Sequence, residues 1–245
     1  MSARERMRVI WSVTAGWTFT FAFCVGTIIT ALLTLGRCWH WLTPLQVRFW
    51  ARVLLRIQGV RVEYEGREHL AGAAMRVATF NHTSGLDPML ICSLYTRAST
   101  SAIKREMLYV PVVGLAIYLM GFLLIDRRRS TRGRGTLDRA AQRMKREHIT
   151  VFISPEGTRS RTGDLQPFKR GAFHLAMSSG APIVPVVIRG AFALWPRQRW
   201  GALAGTVQIR ILPPIDTSAL TPETLPGFVD ALHARYVDEL TAMAA

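Results

Sequence analysis

Acidic side chains are scarce in this chain of 245 residues: 16 Asp and Glu stand against 31 Lys and Arg, a formal net charge of +15 at pH 7. Lysine is scarcer still. Only Lys104, Lys145 and Lys169 occur, so 28 of the basic residues are arginine. A charge of this size predicts attraction to anionic partners, whether nucleic acid, anionic lipid headgroups or an acidic carrier, and composition does not choose among them. Arginine suits bidentate contacts to phosphate or carboxylate, although codon bias alone also enriches it. Cysteine is nearly missing. Cys24, Cys38 and Cys92 are odd in number and widely scattered, with no CxxC pair. That argues against a disulfide framework or a thiolate metal site and for free thiols in a reducing compartment. No GxSxG surrounds any serine, no nucleic-acid-binding motif is visible, and there is no internal repeat or low-complexity linker. With 49% apolar residues and only 19% charged, the chain is not of disordered composition. Its length suits one main core plus an appendage.

The longest absence is local. Val9 to Gly36 contains no Asp, Glu, Lys, Arg or His over 28 residues. As a helix this stretch would be about 42 Å long, against a bilayer core of roughly 30 Å. It is therefore long enough to span, with room for tilt or a break near Gly16 or Gly26. A signal peptide is the competing reading, with Arg4, Arg6 and Arg8 as its basic region. A signal core is only about 7–15 residues, which favours an uncleaved anchor. Arginines flank both ends, so the positive-inside rule gives no orientation. Thr43-Pro44 then reads as an N-cap and first-turn proline. At about 100° per residue, Leu45, Phe49, Trp50, Val53 and Leu54 share a face edged by Arg48, Arg52 and Arg56. That pattern suits a basic amphipathic helix in the headgroup region, and equally a core-packed helix with solvated arginines. The two segments together would either span the bilayer or form a hairpin in one leaflet.

The remainder alternates strand and helix. Strands are predicted at Val60–Glu65, Met75–Phe80, Ser101–Lys104, Phe122–Ile125, Thr150–Ile153, Ile183–Ile188 and Val207–Leu212, with Pro185 suggesting an edge or irregular strand. Helices are predicted at Met89–Tyr95 and Thr136–Glu147, and from Thr221-Pro222 with Leu225, Phe228, Val229, Leu232, Tyr236 and Leu240 inward. This predicts an α/β fold, a mixed and mostly buried sheet flanked by helices, preceded by a membrane-anchoring helical segment. The boundary is placed between residues 1–58 and 59–245.

Four short islands stand out, each at the end of an apolar strand-like run, where ligand sites of α/β sheets usually lie. In Asn81-His82-Thr83-Ser84-Gly85-Leu86-Asp87, the aspartate can fold back onto the imidazole, fix its tautomer and leave the other ring nitrogen as a base. The bland alternative is a structural histidine with Asp87 capping the next helix; the spacing alone does not decide. A metal site is disfavoured, since no second ligand stands nearby at metal spacing. Gly121 to Arg127 and Pro155-Glu156-Gly157-Thr158-Arg159, the latter followed by Phe168-Lys169-Arg170-Gly171, each place an arginine just past a strand, fit to grip a phosphate. Gly157 would admit a close backbone approach. Ile183 to Val187 offers apolar surface only.

These islands, in this order from about Val60 to Ile188, resemble the glycerolipid acyltransferase family, and within it the bacterial 1-acyl-glycerol-3-phosphate acyltransferases. His82 through Asp87 looks like the family's His-x4-Asp block, Gly121 through Arg127 like its second, Glu156-Gly157-Thr158-Arg159 like its third and Val184-Pro185-Val186 like its fourth. Ser154 departs from the aromatic residue that commonly precedes Pro-Glu-Gly. The resemblance implies acyl transfer from acyl-CoA or acyl carrier protein to lysophosphatidic acid, with His82 as base and Asp87 orienting it. It assigns Arg159 to the acceptor phosphate with Lys104 and Arg127 as helpers, and Asn81, Glu156, Gly157 and Thr158 to the substrate pocket. Backbone N–H groups near Gly157 would hold the oxyanion. It implies no metal, no bound cofactor and no nucleic acid, and a catalytic domain on the cytoplasmic side of a bacterial inner membrane. Lyso-ornithine lipid or a remodelled lysophospholipid would serve as acceptor by the same chemistry. The rival from another class is a non-catalytic basic protein that binds membrane or nucleic acid.

Overall fold

A computed structural model describes residues 3–35, 39–72, 74–125 and 130–244. Helix α1 (Ala3–Leu33) takes in residues 9–33 of the long uncharged stretch together with the charged residues before it, and α2 (Trp39–Gln58) follows. Seven strands follow: β1 (Val60–Glu65), β2 (Arg76–Phe80), β3 (Ser99–Lys104), β4 (Leu123–Ile125), β5 (Thr150–Ile153), β6 (Ile183–Arg189) and β7 (Gly205–Ile211). They make one sheet in the order β1-β7-β6-β2-β5-β3-β4. All neighbours run parallel except β6 and β7, so the sheet is mixed. Between the strands lie α3 (Asp87–Ser93), α4 (Val113–Leu119), α5 (Ser130–Glu147), α6 (Gly171–Ser179) and α7 (Ala191–Leu194), with α8 (Leu225–Ala242) last.

Side chains alternate across the sheet as a strand's two-residue period requires. Ala78, Phe152, Val184, Val186 and Ile188 face a core closed by α1 to α4. Val77, Val151, Ile153, Ile183 and Val187 face the other, closed by α5, α6 and α8. Near-continuous apolar runs in β5 and β6 follow from burial on both faces. The C-terminal ends of β2, β5, β3 and β4 share one edge of the sheet, and the loops leaving that edge carry the polar islands.

Pro185 was expected at an edge, yet β6 lies inside the sheet between β7 and β2. A proline lacks the N–H that a ladder uses. Here Tyr236 of α8 fills the gap: its hydroxyl donates to the Thr79 carbonyl at 2.8 Å and accepts the Val186 N–H at 3.1 Å. The last helix starts at Leu225 rather than at Thr221-Pro222, because Thr221 and Thr224 cap one another's backbone N–H groups in a preceding turn.

The N-terminal pair also departs from expectation in detail. Pro44 lies inside α2, not in its first turn; it sits within two turns of the helix start and forgoes one backbone bond there. The inward face of α2 is Val47, Ala51, Leu54 and Leu55, while Leu45 and Phe49 are exposed. The apolar pattern wraps most of the helix, so period alone did not show which side meets the domain. α1 packs antiparallel on α2: Gln58 Nε2 donates to the Ser12 carbonyl at 3.4 Å, and Trp50 Nε1 to Thr20 Oγ1 at 3.2 Å. Phe19 meets Phe49, and Phe23 meets Trp50. The outer face of α1 leaves Ile10, Trp11, Trp17, Phe21, Ile29 and Leu32 exposed. With a mean hydropathy of 1.7 over its best window, α1 is long and apolar enough to cross a membrane.

Candidate active site

Strand β2 ends at Phe80, and the next residues turn across the sheet edge toward α3. Asn81 anchors that turn. Its Nδ2 donates to the Ile188 carbonyl at 2.8 Å, and its Oδ1 accepts the Ile188 N–H at 2.7 Å, so one side-chain amide imitates a strand neighbour. Asn81 is buried and both ends of its amide are spent on backbone. It holds the loop and does not face a substrate.

His82 follows directly. Its Nδ1 lies 2.6 Å from Asp87 Oδ2, and the imidazole stands edge-on to the Phe80 ring. A ring nitrogen that faces a carboxylate carries the proton, which leaves Nε2 as the lone-pair nitrogen. The same Asp87 oxygen accepts the backbone N–H groups of Thr83 and Ser84, each at 2.8 Å. Asp87 is fully buried in the first turn of α3 and makes no side-chain cap bond there. Of the two roles open to it from spacing, the imidazole contact is the one realised. Its second oxygen, Oδ1, has no hydrogen-bond partner among the described residues.

Glu156 approaches from the next strand. β5 pairs with β2, and the loop leaving it carries Glu156 beneath the His82 backbone. Oε1 accepts the His82 N–H at 2.5 Å and Oε2 the Gln166 N–H at 3.0 Å. The return bond runs from the Ser160 N–H to the His82 carbonyl at 2.8 Å. Burial pushes the Glu156 carboxyl up to about 7 despite those two N–H donors. Both oxygens are occupied, so Glu156 positions the histidine loop from inside.

Gly157 has a left-handed backbone, φ 71°. A side chain there would stand 3.0 Å from the Lys169 side chain, which crosses the turn. The Gly157 N–H donates to the Ser154 carbonyl at 3.2 Å, closing a turn instead of pointing at an oxyanion. The glycine is required by the turn. Thr158 is exposed beside it, and Arg159 is half-buried. Arg159 is held below the ordinary arginine value by burial first and then by the Arg197 guanidinium, with the Asp87 charge opposing. Its guanidinium therefore lies within electrostatic reach of the His82–Asp87 pair. Lys104 ends β3 two strands from β2, half-exposed and 3.3 Å from Glu106. Arg127 lies outside the described residues.

Sequence reasoning passed over one segment. Trp195, just after α7, accepts the Gly85 N–H at 3.0 Å and the Ser84 hydroxyl at 2.9 Å through its carbonyl. More than a hundred residues separate these partners, and no local pattern signals their meeting. Among the described residues no three His, Cys, Asp or Glu side chains gather as metal ligands.

A histidine whose Nδ1 meets a buried carboxylate, with the Arg159 charge in electrostatic range of that carboxylate, is a constellation suited to general-base chemistry near an anionic group. A family model described as Acyltransferase matches residues 61–189, just over half of the chain, and the chain belongs to that acyltransferase family. It is 34% identical over 177 residues to human 1-acyl-sn-glycerol-3-phosphate acyltransferase alpha, covering 72% of this chain and 62% of that one. The human beta form is 38% identical over 175 residues, covering 71% and 63%. The yeast (Saccharomyces cerevisiae) 1-acyl-sn-glycerol-3-phosphate acyltransferase is 32% identical over 217 residues, covering 88% and 71%. The match thus spans less than two thirds of the human relatives. The crystal structure of the 1-acyl-sn-glycerophosphate acyltransferase PlsC from Thermotoga maritima shares the fold, with a TM-score of 0.79 at 22% identity over 97% of this chain and 98% of that one.

Proposed function

We propose that this protein transfers a fatty acyl group from acyl-CoA or acyl carrier protein to the 2-hydroxyl of 1-acyl-glycerol 3-phosphate, forming phosphatidic acid. The observation that carries the reading is the 2.6 Å contact between His82 Nδ1 and Asp87 Oδ2, with the Arg159 charge in electrostatic range of Asp87. His82 Nε2 takes the proton of the acceptor hydroxyl as its oxygen attacks the thioester carbonyl. The new C–O bond forms, the C–S bond breaks, and the thiol leaves with the proton from the imidazolium. Asp87 fixes the tautomer and stabilises the imidazolium. The attack is direct, so no acyl-enzyme is required. Arg159 binds the acceptor's phosphate, with Lys104, at the end of β3, and Arg127 as further cations. The names of the human and yeast relatives support this acceptor.

Residues 1–58 serve as the membrane anchor and residues 59–245 as the acyltransferase domain. The apolar outer face of α1 supports attachment to a bilayer, and its antiparallel packing on α2 favours a hairpin held in one leaflet. The site then sits at the cytoplasmic face of a bacterial inner membrane, where thioester donors are made. Arginine beside the base favours a phosphate-bearing acceptor over lyso-ornithine lipid. The test is acyl transfer from oleoyl-CoA to lysophosphatidic acid in detergent micelles, wild type beside His82→Ala. Phosphatidic acid made by the wild type and lost in the variant is expected. A folded wild type inactive with oleoyl-CoA and with an acyl carrier protein donor on this acceptor would overturn it.

A further inference from the structure

The segment after β6 forms a wall of the site that none of the four motifs announces. Past α7 the chain makes a tight turn over residues 195–199, and the turn is locked from inside. The Trp195 indole N–H donates to the Arg199 carbonyl at 3.0 Å, and the Arg199 N–H to the Pro196 carbonyl at 3.1 Å. The Arg199 guanidinium reaches back to the carbonyls of Ala193 and Leu194 at 3.1 and 3.2 Å.

Two anchors fix this turn over the site. At one end Trp195 is bonded to Ser84 and Gly85, in the loop that begins with His82. Gly85 has no room for a side chain, since a Cβ would stand 2.8 Å from the indole. At the other end Gln198 Nε2 donates to the Arg161 carbonyl at 3.0 Å, two residues beyond Arg159. Arg197 lies between the anchors and is exposed. Its charge is felt at Arg159. Neither guanidinium has a carboxylate partner among the described residues, although the chain forms such pairs elsewhere, as Arg210 does with Glu65 and Glu239. Two like charges brought near each other by an anchored turn, with only the Asp87 charge opposing and no carboxylate paired to either guanidinium among the described residues, are relieved by an anion from outside.

We propose that Arg197 is a second grip on the acceptor's phosphate, set against Arg159, and that the pair selects a phosphomonoester over a phosphodiester lysolipid. This rests on the acyl-transfer reading above. A monoester phosphate carries close to two negative charges near pH 7 and three free oxygens. It can accept two forked guanidiniums at once. A diester has one charge and two free oxygens, so the first arginine satisfies most of what it offers. Arg197 thus adds affinity mainly for lysophosphatidic acid and little for lysophosphatidylglycerol.

The test compares full-length wild type, Arg197→Ala and Arg197→Lys in detergent micelles, with lysophosphatidic acid and lysophosphatidylglycerol as acceptors. The expected result is a KM for lysophosphatidic acid raised roughly tenfold to a hundredfold by alanine, the range of one charge-assisted contact. Lysine, which keeps the charge and loses the fork, restores part of it. The loss appears in KM more than in kcat, and the preference for lysophosphatidic acid over the diester falls by a similar factor. An unmoved KM, a loss confined to kcat, or an equal loss on both acceptors would overturn the inference. A wild type that makes no phosphatidic acid would instead bring down the acyl-transfer reading, so the two failures are distinct.

Discussion

His82 and Glu156 are 74 residues apart in the chain, and the His82 backbone N–H donates to Glu156 Oε1 at 2.5 Å. The proposed base is thus positioned by the acidic residue of the third motif, at the level of its backbone. Asp87 controls the ring of the same residue. Two carboxyls divide the work of holding one histidine.

Glu156 makes stability pH-dependent. Its folded value is raised from 4.5 to about 7 by burial. A raised value means the folded state prefers the protonated form, so the stabilisation is fully present below about pH 4.5 and is lost as pH rises through about 7. The loss is on the order of 3 kcal/mol. Thermal unfolding midpoints from pH 4 to 8 should fall more steeply for wild type than for Glu156→Gln, which cannot titrate. Parallel curves would show that Glu156 stays ionised throughout. The amide also turns an NH2 toward one of the two N–H donors, so Glu156→Gln should lower kcat by on the order of tenfold, the effect of one lost positioning bond.

Asp87 should be needed for turnover but not for acceptor binding. Asp87→Asn removes the carboxylate that holds Nδ1 protonated and lets the ring present the wrong tautomer. Loss of such a partner costs on the order of 10³–10⁴ in kcat in a comparable serine–histidine–aspartate site. His82→Ala should cost about as much, and the double variant no more than the worse single, because the two act as one unit. Additive losses in steady-state kinetics would contradict a shared role.

Arg159→Ala should raise the KM for lysophosphatidic acid roughly tenfold or more, the loss of one charge-assisted contact, while the folding midpoint changes little. Arg159 has no protein partner to strand among the described residues, so the deletion leaves nothing unpaired. A variant with unchanged KM would move the phosphate away from this loop.

Tyr236→Phe tests the sheet behind the site. It removes one oxygen and leaves the Thr79 carbonyl and Val186 N–H facing each other across an unfilled ladder position. Two buried groups left unsatisfied should cost about 2–4 kcal/mol, read from the urea midpoint. Because Thr79 precedes His82 by three residues, activity should fall before global unfolding does. A loss below about 0.5 kcal/mol would mean the strands repair the gap themselves.

The outer face of α1 should bind vesicles. Trp17 and Phe21 are both exposed there. Replacing both with glutamate should shift the protein from the vesicle pellet to the supernatant in a sedimentation assay. Each charge costs about 2–3 kcal/mol or more in a hydrocarbon environment. Full vesicle binding retained by the double variant would place the membrane contact elsewhere.

Much of the fold was legible because its signals are local. Thr150–Ile153 and Ile183–Ile188 read as strands since β-branched runs fit a sheet buried on both faces. The His82 and Asp87 pair was legible as a spacing, because a turn of five residues can bring those two side chains together and little else intervenes. Pro185 misled for an equally physical reason. A proline is barred from an inner strand only when nothing else can serve the ladder, and Tyr236 comes from a helix fifty residues away. In α2, apolar residues occur around most of the helix, so periodicity grouped Leu45 and Phe49 with Leu54 when the domain takes only the last of them.

By itself the sequence determined that an uncharged apolar stretch from Val9 to Gly36 lies near the N-terminus, that strands and helices alternate behind it, and that His82, Asp87, Glu156 and Arg159 follow apolar runs. Only the tertiary structure decided that Glu156 lies under His82, that the Gly157 N–H is spent inside its own turn, and that the turn bearing Arg197 is bonded to the His82 loop through Trp195. The reason is one of range. Hydrophobic period and turn chemistry act over a few residues and fix which side chains share a face. Which faces meet is settled by packing between segments far apart in the chain, and the wall of the site is built from such meetings.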